Sequence, residues 1–307
     1  MNYKNFKWQK LGRICRPLKN SFWTKSYCML PTPLKLSFDK FRIFYSSRNI
    51  KNQSYISFTD IEIKDKIRVI GHAKRPVLSP GELGCFDDNG VTPSSVVRHK
   101  NKIYMYYVGW KPRSTTRYSL MGGIAISNNN GLSFKRYSRA SMFKNSEREP
   151  FQIMTAPYVF KQKNNWMVWY VSCEKWKNAD YPKYNIKFGN SKDGLKWIQT
   201  GKISINLKKN ERAVARPTVI FKDKKFHMWY CKENKVGTYS LGYGVSKNGI
   251  NWKRFDNKVN IYKSKSGWDS KMITYPSVIN HNNKYYMFFN GNDYGKNGFG
   301  VAVSQNN

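Results

Sequence analysis

Short runs of apolar and aromatic residues recur along the chain in a fixed order, separated by turns rich in glycine, asparagine and lysine. A run that opens with proline leads through a turn into a strongly aromatic run, for example the segment Trp166-Met167-Val168-Trp169-Tyr170. Runs of this length, rich in β-branched and aromatic side chains and bounded by turn residues, are typical of short strands. The pattern therefore predicts an all-β chain.

The proline-led runs recur at intervals of about 60 residues, which is the signature of a repeat architecture. In most units the aromatic run is followed by a run of small residues and then by an Asn-Gly or Asp-Gly turn such as Asn248-Gly249. These dipeptides between β-rich runs are the strongest short signal for a hairpin. We expect the units to be led by about Pro33, Pro93, Pro157, Pro217 and Pro276.

Four short antiparallel strands in each of five units describe a five-bladed β-propeller. The last unit stops after its third strand at the end of the chain, and the segment from Phe6 to Lys10 can supply the missing fourth strand. We therefore expect residues 1–307 to form a single propeller domain whose ring is closed by the N-terminal segment.

The chain carries 55 lysine and arginine residues against 18 acidic residues, a formal net charge of +37. Such a charge suits a polyanionic partner, but the lysines are spread over nearly every turn, so composition explains the charge equally well. We do not expect nucleic acid as a partner, and peripheral contact with an anionic membrane stays open. The sequence does not decide the oligomeric state.

Nothing in the sequence resembles a membrane span or the apolar segment of a secretion signal. The five cysteines have no C-x-x-C spacing, which favours reduced thiols in a cytoplasm over disulfides or a zinc cluster. The four histidines show no metal-binding motif. We therefore expect neither a metal nor a cofactor.

The few acidic residues are informative because the predicted fold sorts them. In a blade, the start of the first strand and the end of the second strand lie at the same mouth of the propeller, and half of the acids fall at those positions. Pairs of carboxylates are what cleavage of a glycosidic bond requires, one as a proton donor and one as a base or nucleophile. The candidate catalytic residues are Asp87, Asp88, Glu149, Glu211 and Asp269.

The same predicted mouth collects aromatic, amide and arginine side chains. Aromatic faces stack on sugar rings, and arginines can hold a carboxylate or phosphate group of a substrate. The ligand we expect is a glycan or a sugar-containing small molecule, with room for an anionic group. The candidate substrate-binding residues are Glu82, Trp110, Glu174, Trp176, Arg216, Asn290, Asp293 and Tyr294.

Two motifs resemble a known superfamily: F-D-D-N-G-V-x-P from Phe86 to Pro93, which opens a unit, and S-x-[DN]-G-x-x-W, as in Ser191 to Trp197, which closes one. From about residue 6 to residue 304 the chain resembles the five-bladed glycosidases. That superfamily includes the arabinanases and xylosidases of family 43, the invertases and levansucrases, and the mannoside phosphorylases of family 130, so the chain is similar to glycoside hydrolase families 43, 32 and 130. The chain most resembles propeller "glycosylases" that accompany bacterial surface-polysaccharide genes.

Members of this superfamily use three carboxylates from successive blades. The resemblance implies that Asp87 or Asp88 is the base or nucleophile, that Glu149 and Glu211 compete for the acid role, and that Asp269 tunes a pKa or binds substrate hydroxyls. It implies a glycosidase-type enzyme that cleaves or transfers a glycosyl group at a carboxylate-lined mouth, in bacterial surface-polysaccharide metabolism. Two alternatives stay open: a glycosyltransferase-like enzyme that uses a nucleotide sugar, and a propeller that only binds glycans.

Overall fold

A computed structural model describes residues 6–234 and 238–305 and confirms that the chain is all-β. The helical segments there are single turns, α1 (Asn292–Gly295) and a 3-10 turn (Asp256–Lys258), so no helix among these residues has the length and apolar character needed to cross a membrane. The strands are β1 (Gln9–Cys15), β2 (Ser26–Lys35), β3 (Lys40–Arg48), β4 (Ser54–Ile63), β5 (Ile67–His72), β6 (Gly90–His99), β7 (Lys102–Pro112), β8 (Tyr118–Ser127), β9 (Lys135–Arg136), β10 (Ile153–Gln162), β11 (Asn165–Trp176), β12 (Pro182–Ser191), β13 (Ile198–Ile205), β14 (Ala213–Lys222), β15 (Lys225–Glu233), β16 (Tyr239–Ser246), β17 (Trp252–Arg254), β18 (Thr274–His281), β19 (Lys284–Asn290) and β20 (Phe299–Gln305).

The strands pair as antiparallel meanders, in the order that the repeat predicts. The ladders join β2 to β5, β6 to β9, β10 to β13 and β14 to β17, each in sequence order. Strands β18, β19 and β20 form a further meander, and β1 pairs with β20 from the other end of the chain. Short parallel contacts link β4 with β6, β8 with β10, and β12 with β14. Each meander therefore lies beside the next one.

The first strand of most meanders is bulged at the residue before its leading proline. Ala156, Arg216 and Tyr275 precede Pro157, Pro217 and Pro276, and all three adopt left-handed backbone angles, with φ between 47° and 54°. The ladder register shifts across the same positions. Such bulges bend a strand and redirect a side chain.

The first meander shows the same bulge at Leu30, whose φ is 54° and which precedes Pro31. The proline equivalent to Pro217 is therefore Pro31, two residues earlier than the Pro33 that we expected from the sequence. The sequence Pro31-Thr32-Pro33 offers two prolines, and the position of the bulge decides between them.

Neighbouring meanders are joined by an aromatic side chain that packs on a turn glycine. The hydroxyl of Tyr106 donates a hydrogen bond to the carbonyl of Gly194 at 2.9 Å, and the indole of Trp169 donates one to Gly249 at 2.7 Å. Both glycines have φ near +75°. A Cβ atom at Gly194 would lie 2.8 Å from the ring of Trp166, so both the backbone angle and the contact require glycine.

The serines that precede these glycines fix the turns. The Oγ atoms of Ser191 and Ser246 accept hydrogen bonds from the backbone N–H groups of Gly194 and Gly249, both at 2.9 Å. The Ser-x-[Asn/Asp]-Gly motifs are therefore structural turns, and their glycines carry the contacts between meanders.

The N-terminal segment packs between the fourth and the last meander. Phe6 is buried, and its ring lies 4.9 Å from that of Trp229 and 5.1 Å from that of Tyr285. Strand β1 follows and aligns Gln9 with Val303 of β20. The predicted strand at Phe6 to Lys10 thus begins three residues later than expected, at Gln9, and Phe6 serves as an apolar anchor ahead of it.

Replacement of this anchor should destabilise the protein. We expect Phe6→Ala to lower the free energy of unfolding by about 3 kcal/mol, because a buried aromatic ring is lost and a cavity is left. The exposed Phe22, with 64% of its surface accessible, is the matched control, and Phe22→Ala should change stability by less than about 0.5 kcal/mol. Urea unfolding of the two variants and the parent measures both values, and equal losses would contradict an anchoring role for Phe6.

Candidate active site

A cavity of about 380 Å³ lies where the first strands begin, a volume within the usual range of small-molecule sites. Asp180 is the one carboxylate residue that lines it among the described parts of the chain. Arginine, aromatic and aliphatic side chains make up most of the remaining lining. Its other polar or aromatic lining residues are Arg48, Arg117, Arg212, Arg216, Thr92, Thr155, Tyr27, Trp110, Tyr118, Tyr184, Tyr239, Tyr275 and Tyr294.

The bulges of the first strands build the wall of this cavity. Leu30, Ala156, Arg216 and Tyr275 occupy equivalent bulge positions and all four line it. None of these positions carries an acid. The repeat therefore places one arginine, Arg216, and one tyrosine, Tyr275, at equivalent positions on the wall of the cavity.

Two aromatic clusters face the cavity. In the first, Trp110 lies 5.7 Å from Tyr118, which is backed by Trp176 at 5.9 Å. The second contains Tyr275 and Tyr294, whose rings stack at 6.3 Å, and both contact Tyr239. Aromatic faces at these separations can hold a sugar ring by its apolar side.

The side wall combines an ion pair with a pair of tyrosines. The buried guanidinium of Arg212 is paired with the fully buried carboxylate of Glu233. The hydroxyl groups of Tyr184 and Tyr239 lie 2.9 Å apart, and burial raises the pKa of Tyr184 to about 12. Both hydroxyl groups are therefore protonated at neutral pH, and because one of them donates to the other, the second can donate a hydrogen bond to a ligand.

The predicted catalytic carboxylates do not line the cavity, and the structure gives two of them buried structural partners. Asp87 accepts hydrogen bonds from Tyr107 at 2.9 Å and from Arg136 at 2.8 Å. Glu149 accepts from Tyr170 at 2.9 Å and from Ser172 at 2.6 Å, and Gln199 and Lys187 approach the same carboxylate.

The equivalent acids of the following meanders are held in the same way. Glu211 pairs with Arg254 of β17 at 2.6 Å, and Asp269 pairs with Lys10 of β1 at 2.7 Å. Asp88 pairs with Lys111 at 3.1 Å and accepts a hydrogen bond from the N–H of Gly84.

Each of Asp87, Glu149, Glu211 and Asp269 precedes a first strand and faces the fourth strand of its own meander. Among the described residues the five predicted catalytic acids lie outside the lining of this cavity, which carries arginine and tyrosine side chains, and their catalytic role stays a prediction. The physical reason is that an acid at this repeated position is taken up by the outer strand and not by the cavity.

The predicted substrate-binding residues are divided. Trp110, Arg216 and Tyr294 line the cavity, and Trp176 supports Tyr118 from behind. Asn290 is fully buried and binds the backbone of Cys28 and Leu30, so it positions a cavity strand. The remaining three stay outside the lining: Glu82 pairs with Arg139, Glu174 accepts from Asn185, and Asp293 lies exposed in α1.

Sequence reasoning passed over Asp180, Arg212 and Tyr275. Tyr275 could have been found, because it precedes Pro276 as Arg216 precedes Pro217. Asp180 lies in the turn between β11 and β12, where the backbone N–H of Arg117 bonds to the carbonyl of Ala179 at 2.8 Å. This contact between two loops has no signal in the sequence.

No three His, Cys, Asp or Glu side chains in the described ranges come together in a way that could hold a metal ion.

Comparison of the sequence with known families gives two matches. A family model described as beta-1,4-mannooligosaccharide phosphorylase, of glycosyl hydrolase family 130, matches residues 192–306. The model of the N-terminal domain of glycosyl hydrolase family 32 matches residues 72–218.

The relatives extend these matches. An uncharacterized protein of Mycobacterium tuberculosis (strain ATCC 25618 / H37Rv) is 32% identical over 301 residues, covering 97% of this chain and 99% of the relative. A beta-1,2-mannobiose phosphorylase of Thermoanaerobacter sp. (strain X514) is 30% identical over 95 residues, covering 26% of this chain and 30% of the relative.

Solved structures share the fold along almost the whole chain. A glycoside hydrolase superposes with a TM-score of 0.77 at 16% identity, covering 98% of this chain and 92% of the other. A thermostable family-43 glycoside hydrolase superposes with a TM-score of 0.69 at 17% identity, covering 92% of this chain and 91% of the other. This chain belongs to the same family as the mycobacterial protein, within the superfamily of β-propeller glycoside hydrolases and phosphorylases, and it is a carbohydrate-active enzyme of glycosidase type.

The structural role of Glu149 can be tested directly. We expect Glu149→Gln to lower the free energy of unfolding by about 3 kcal/mol, because Lys187 would lose its partner in a buried pair. Glu174→Gln, at an exposed position, should be close to neutral. Unfolding in urea measures both. A Glu149→Gln protein with unchanged stability and no turnover would instead restore the catalytic assignment.

The carboxylate of Asp256 should make stability depend on pH. Burial opposes ionisation, but hydrogen bonds from Tyr230, Lys208 and Arg254 outweigh it and lower the pKa of Asp256 to about 2. The stabilisation is present above the ordinary pKa of 3.8 and is lost as the pH falls towards 2.

Asp256→Asn should therefore cost about 2 kcal/mol at neutral pH and progressively less below about pH 4. Thermal unfolding across this pH range, with the exposed Asp65→Asn as control, gives the comparison. A deficit that is constant with pH would show that the lost contacts do not depend on ionisation.

Proposed function

We propose that the protein cleaves a mannoside-type glycosidic bond in this cavity, with Asp180 as the proton donor and inorganic phosphate as the attacking group. The observation that carries the proposal is the lining itself: aromatic walls, several arginines and a single carboxylate among the described residues. The family-130 match and the partial relationship to a mannobiose phosphorylase support the choice of sugar and of reaction.

The single carboxylate favours phosphate over water. Hydrolysis by the usual routes needs a second carboxylate, either to activate water or to attack C1. A phosphate oxyanion is already a nucleophile and needs no base. One of its oxygens would bond to C1 as the C1–O bond breaks, and Asp180 would protonate the leaving oxygen, which yields a sugar 1-phosphate and a shortened glycan.

The position of Arg117 supports this assignment. Arg117 and Asp180 are both exposed at the open end of the cavity, and the bond from Arg117 N–H to Ala179 ties their loops together. A guanidinium beside the proton donor suits a phosphate that must approach C1. Trp110 and Tyr118 would hold the sugar ring by stacking.

The proposed architecture around the cavity is a closed ring of five blades. The antiparallel meanders linked by parallel contacts support it, as do the pairing of β1 with β20 and the packing of Phe6 on Trp229. A role in bacterial surface-polysaccharide metabolism in the cytoplasm belongs to the same proposal, and the five free cysteines suit a reducing compartment.

The test is turnover of β-1,2- and β-1,4-mannobiose with and without phosphate, followed by detection of mannose 1-phosphate. We expect Asp180→Asn to reduce turnover by about 100-fold or more, the usual weight of a general acid. The variant should keep most of its activity on a dinitrophenyl mannoside, whose leaving group needs no proton. The exposed Asp223→Asn is the control and should match the parent. Turnover that is independent of phosphate, or an Asp180→Asn protein as active as the parent, would reject the assignment.

A further inference from the structure

Arg216 differs from the other buried arginines of the described chain in its lack of a carboxylate partner. Arg42 pairs with Asp60, Arg212 with Glu233, and Arg254 with Glu211 and Asp256. Arg216 is only 2% exposed, and no carboxylate of the described residues lies within ion-pair distance of it.

The contacts that Arg216 does make hold it rigidly without neutralising it. Its Nη1 atom donates to the carbonyl and to the hydroxyl of Ser94, and its Nη2 atom donates to the hydroxyl of Thr32 at 2.9 Å. The buried Nε–H has no partner. Burial lowers the pKa of Arg216 to about 10, so the group remains a cation at neutral pH.

A buried cation of this kind is costly unless an anion compensates it. The uncompensated charge of Arg216 lies on the wall of the cavity, which indicates a ligand that supplies the missing charge.

Arg48 provides a second cation on the wall of the same cavity. Tyr275, which occupies the neighbouring bulge, lines that cavity together with Arg48 and Arg216. Arg48 stacks on the ring of Tyr27 at 4.6 Å, its Nε atom also lacks a hydrogen-bond partner, and no ion pair engages it among residues 6–234 and 238–305. Two uncompensated cations match the charge of a phosphate monoester, about −1.5 to −2 at neutral pH, better than that of a single carboxylate.

We propose that Arg216, together with Arg48, forms a subsite at the buried end of the cavity for a phosphate ester carried by the sugar that is cleaved. This inference rests on the proposed function, because it assigns the glycosyl unit that enters the cavity. It places the ester at the buried Arg216 and the scissile bond at the exposed Asp180, and both residues line the same cavity. The substrate class is then a glycoside whose non-leaving sugar is phosphorylated.

Binding of four probes tests the inference: mannose 6-phosphate, mannose 1-phosphate, mannose and inorganic phosphate, each titrated calorimetrically into the whole protein. We expect mannose 6-phosphate to bind at least about tenfold more tightly than any of the other three. A single hydrogen bond between a guanidinium and a phosphate group contributes about a tenfold gain in affinity. Tighter binding of inorganic phosphate or of mannose 1-phosphate would assign the buried end to the phosphate of the reaction itself and overturn the proposal.

The variants are Arg216→Met, Arg216→Lys and Arg48→Met, with Arg139→Met as the matched control. Arg139 is 76% exposed in its side chain and lies outside the cavity, so its loss removes the same charge from the surface. We expect Arg216→Met and Arg48→Met to weaken binding of mannose 6-phosphate by about tenfold or more, with binding of mannose nearly unchanged. Equal weakening by Arg139→Met would show general attraction to a basic protein and overturn the proposal.

Measurements of stability and of turnover distinguish a failure of the proposed subsite from a failure of the proposed function. Thermal unfolding checks each variant, and Arg48→Met, at a half-buried position, carries the test if Arg216→Met does not fold. Cleavage of neutral mannobiose that depends on Asp180, without preferential binding of mannose 6-phosphate, overturns the subsite and leaves the proposed function intact. Preferential binding of mannose 6-phosphate without cleavage of any mannoside supports the subsite and rejects the proposed reaction.

Discussion

The architecture depends on a contact between an aromatic side chain of one meander and the turn glycine of the next. Tyr106 on Gly194 and Trp169 on Gly249 repeat the same geometry, and each combines a hydrogen bond with close ring packing. The contact links local structure to tertiary structure, because only a left-handed turn brings the glycine carbonyl to the ring. A chain with this repeat therefore sets the spacing of its meanders by its hairpin turns.

This arrangement determines what the acidic residues can do. The connection that precedes each first strand passes beside the outer strand of its own meander, where a basic or amide side chain is available. An acid in that connection gains a buried partner and loses access to the cavity. In a chain with 55 basic and 18 acidic residues, most buried carboxylates are paired with a basic or amide side chain of this kind. The central cavity is consequently left with an excess of guanidinium groups.

The sequence was sufficient for everything that depends on local pattern. The repeat length, the Asn-Gly and Asp-Gly hairpins and the role of the N-terminal segment followed from residue spacing and turn chemistry. Trp110, Arg216 and Tyr294, which the repeat predicts at the mouth, line the cavity, and their role in binding stays a prediction. These are properties of strand order alone.

The directions of the acidic side chains and the position of the first bulge could not be predicted, because the spacing of residues in a repeat does not specify them. Asp87 and Glu149 lie close to strands that reach the mouth, but a turn of the backbone points them to Arg136 and Gln199. The bulge at Leu30 moved the first repeat by two residues, a shift that no residue type signals when prolines stand at both 31 and 33. Asp180 entered the site through a contact between loops.

The chemistry of the cavity follows from the opposite characters of its two ends. At the open end, Asp180 and Arg117 are both exposed to solvent. Arg216 is fixed by Ser94 and Thr32 and is almost fully buried. A charge held in a dry, rigid setting interacts more strongly with an opposite charge than one in water does, because little solvent reorganises around it. In the proposed reaction, binding energy would therefore be concentrated away from Asp180, where it would orient a sugar without competing with the proton transfer.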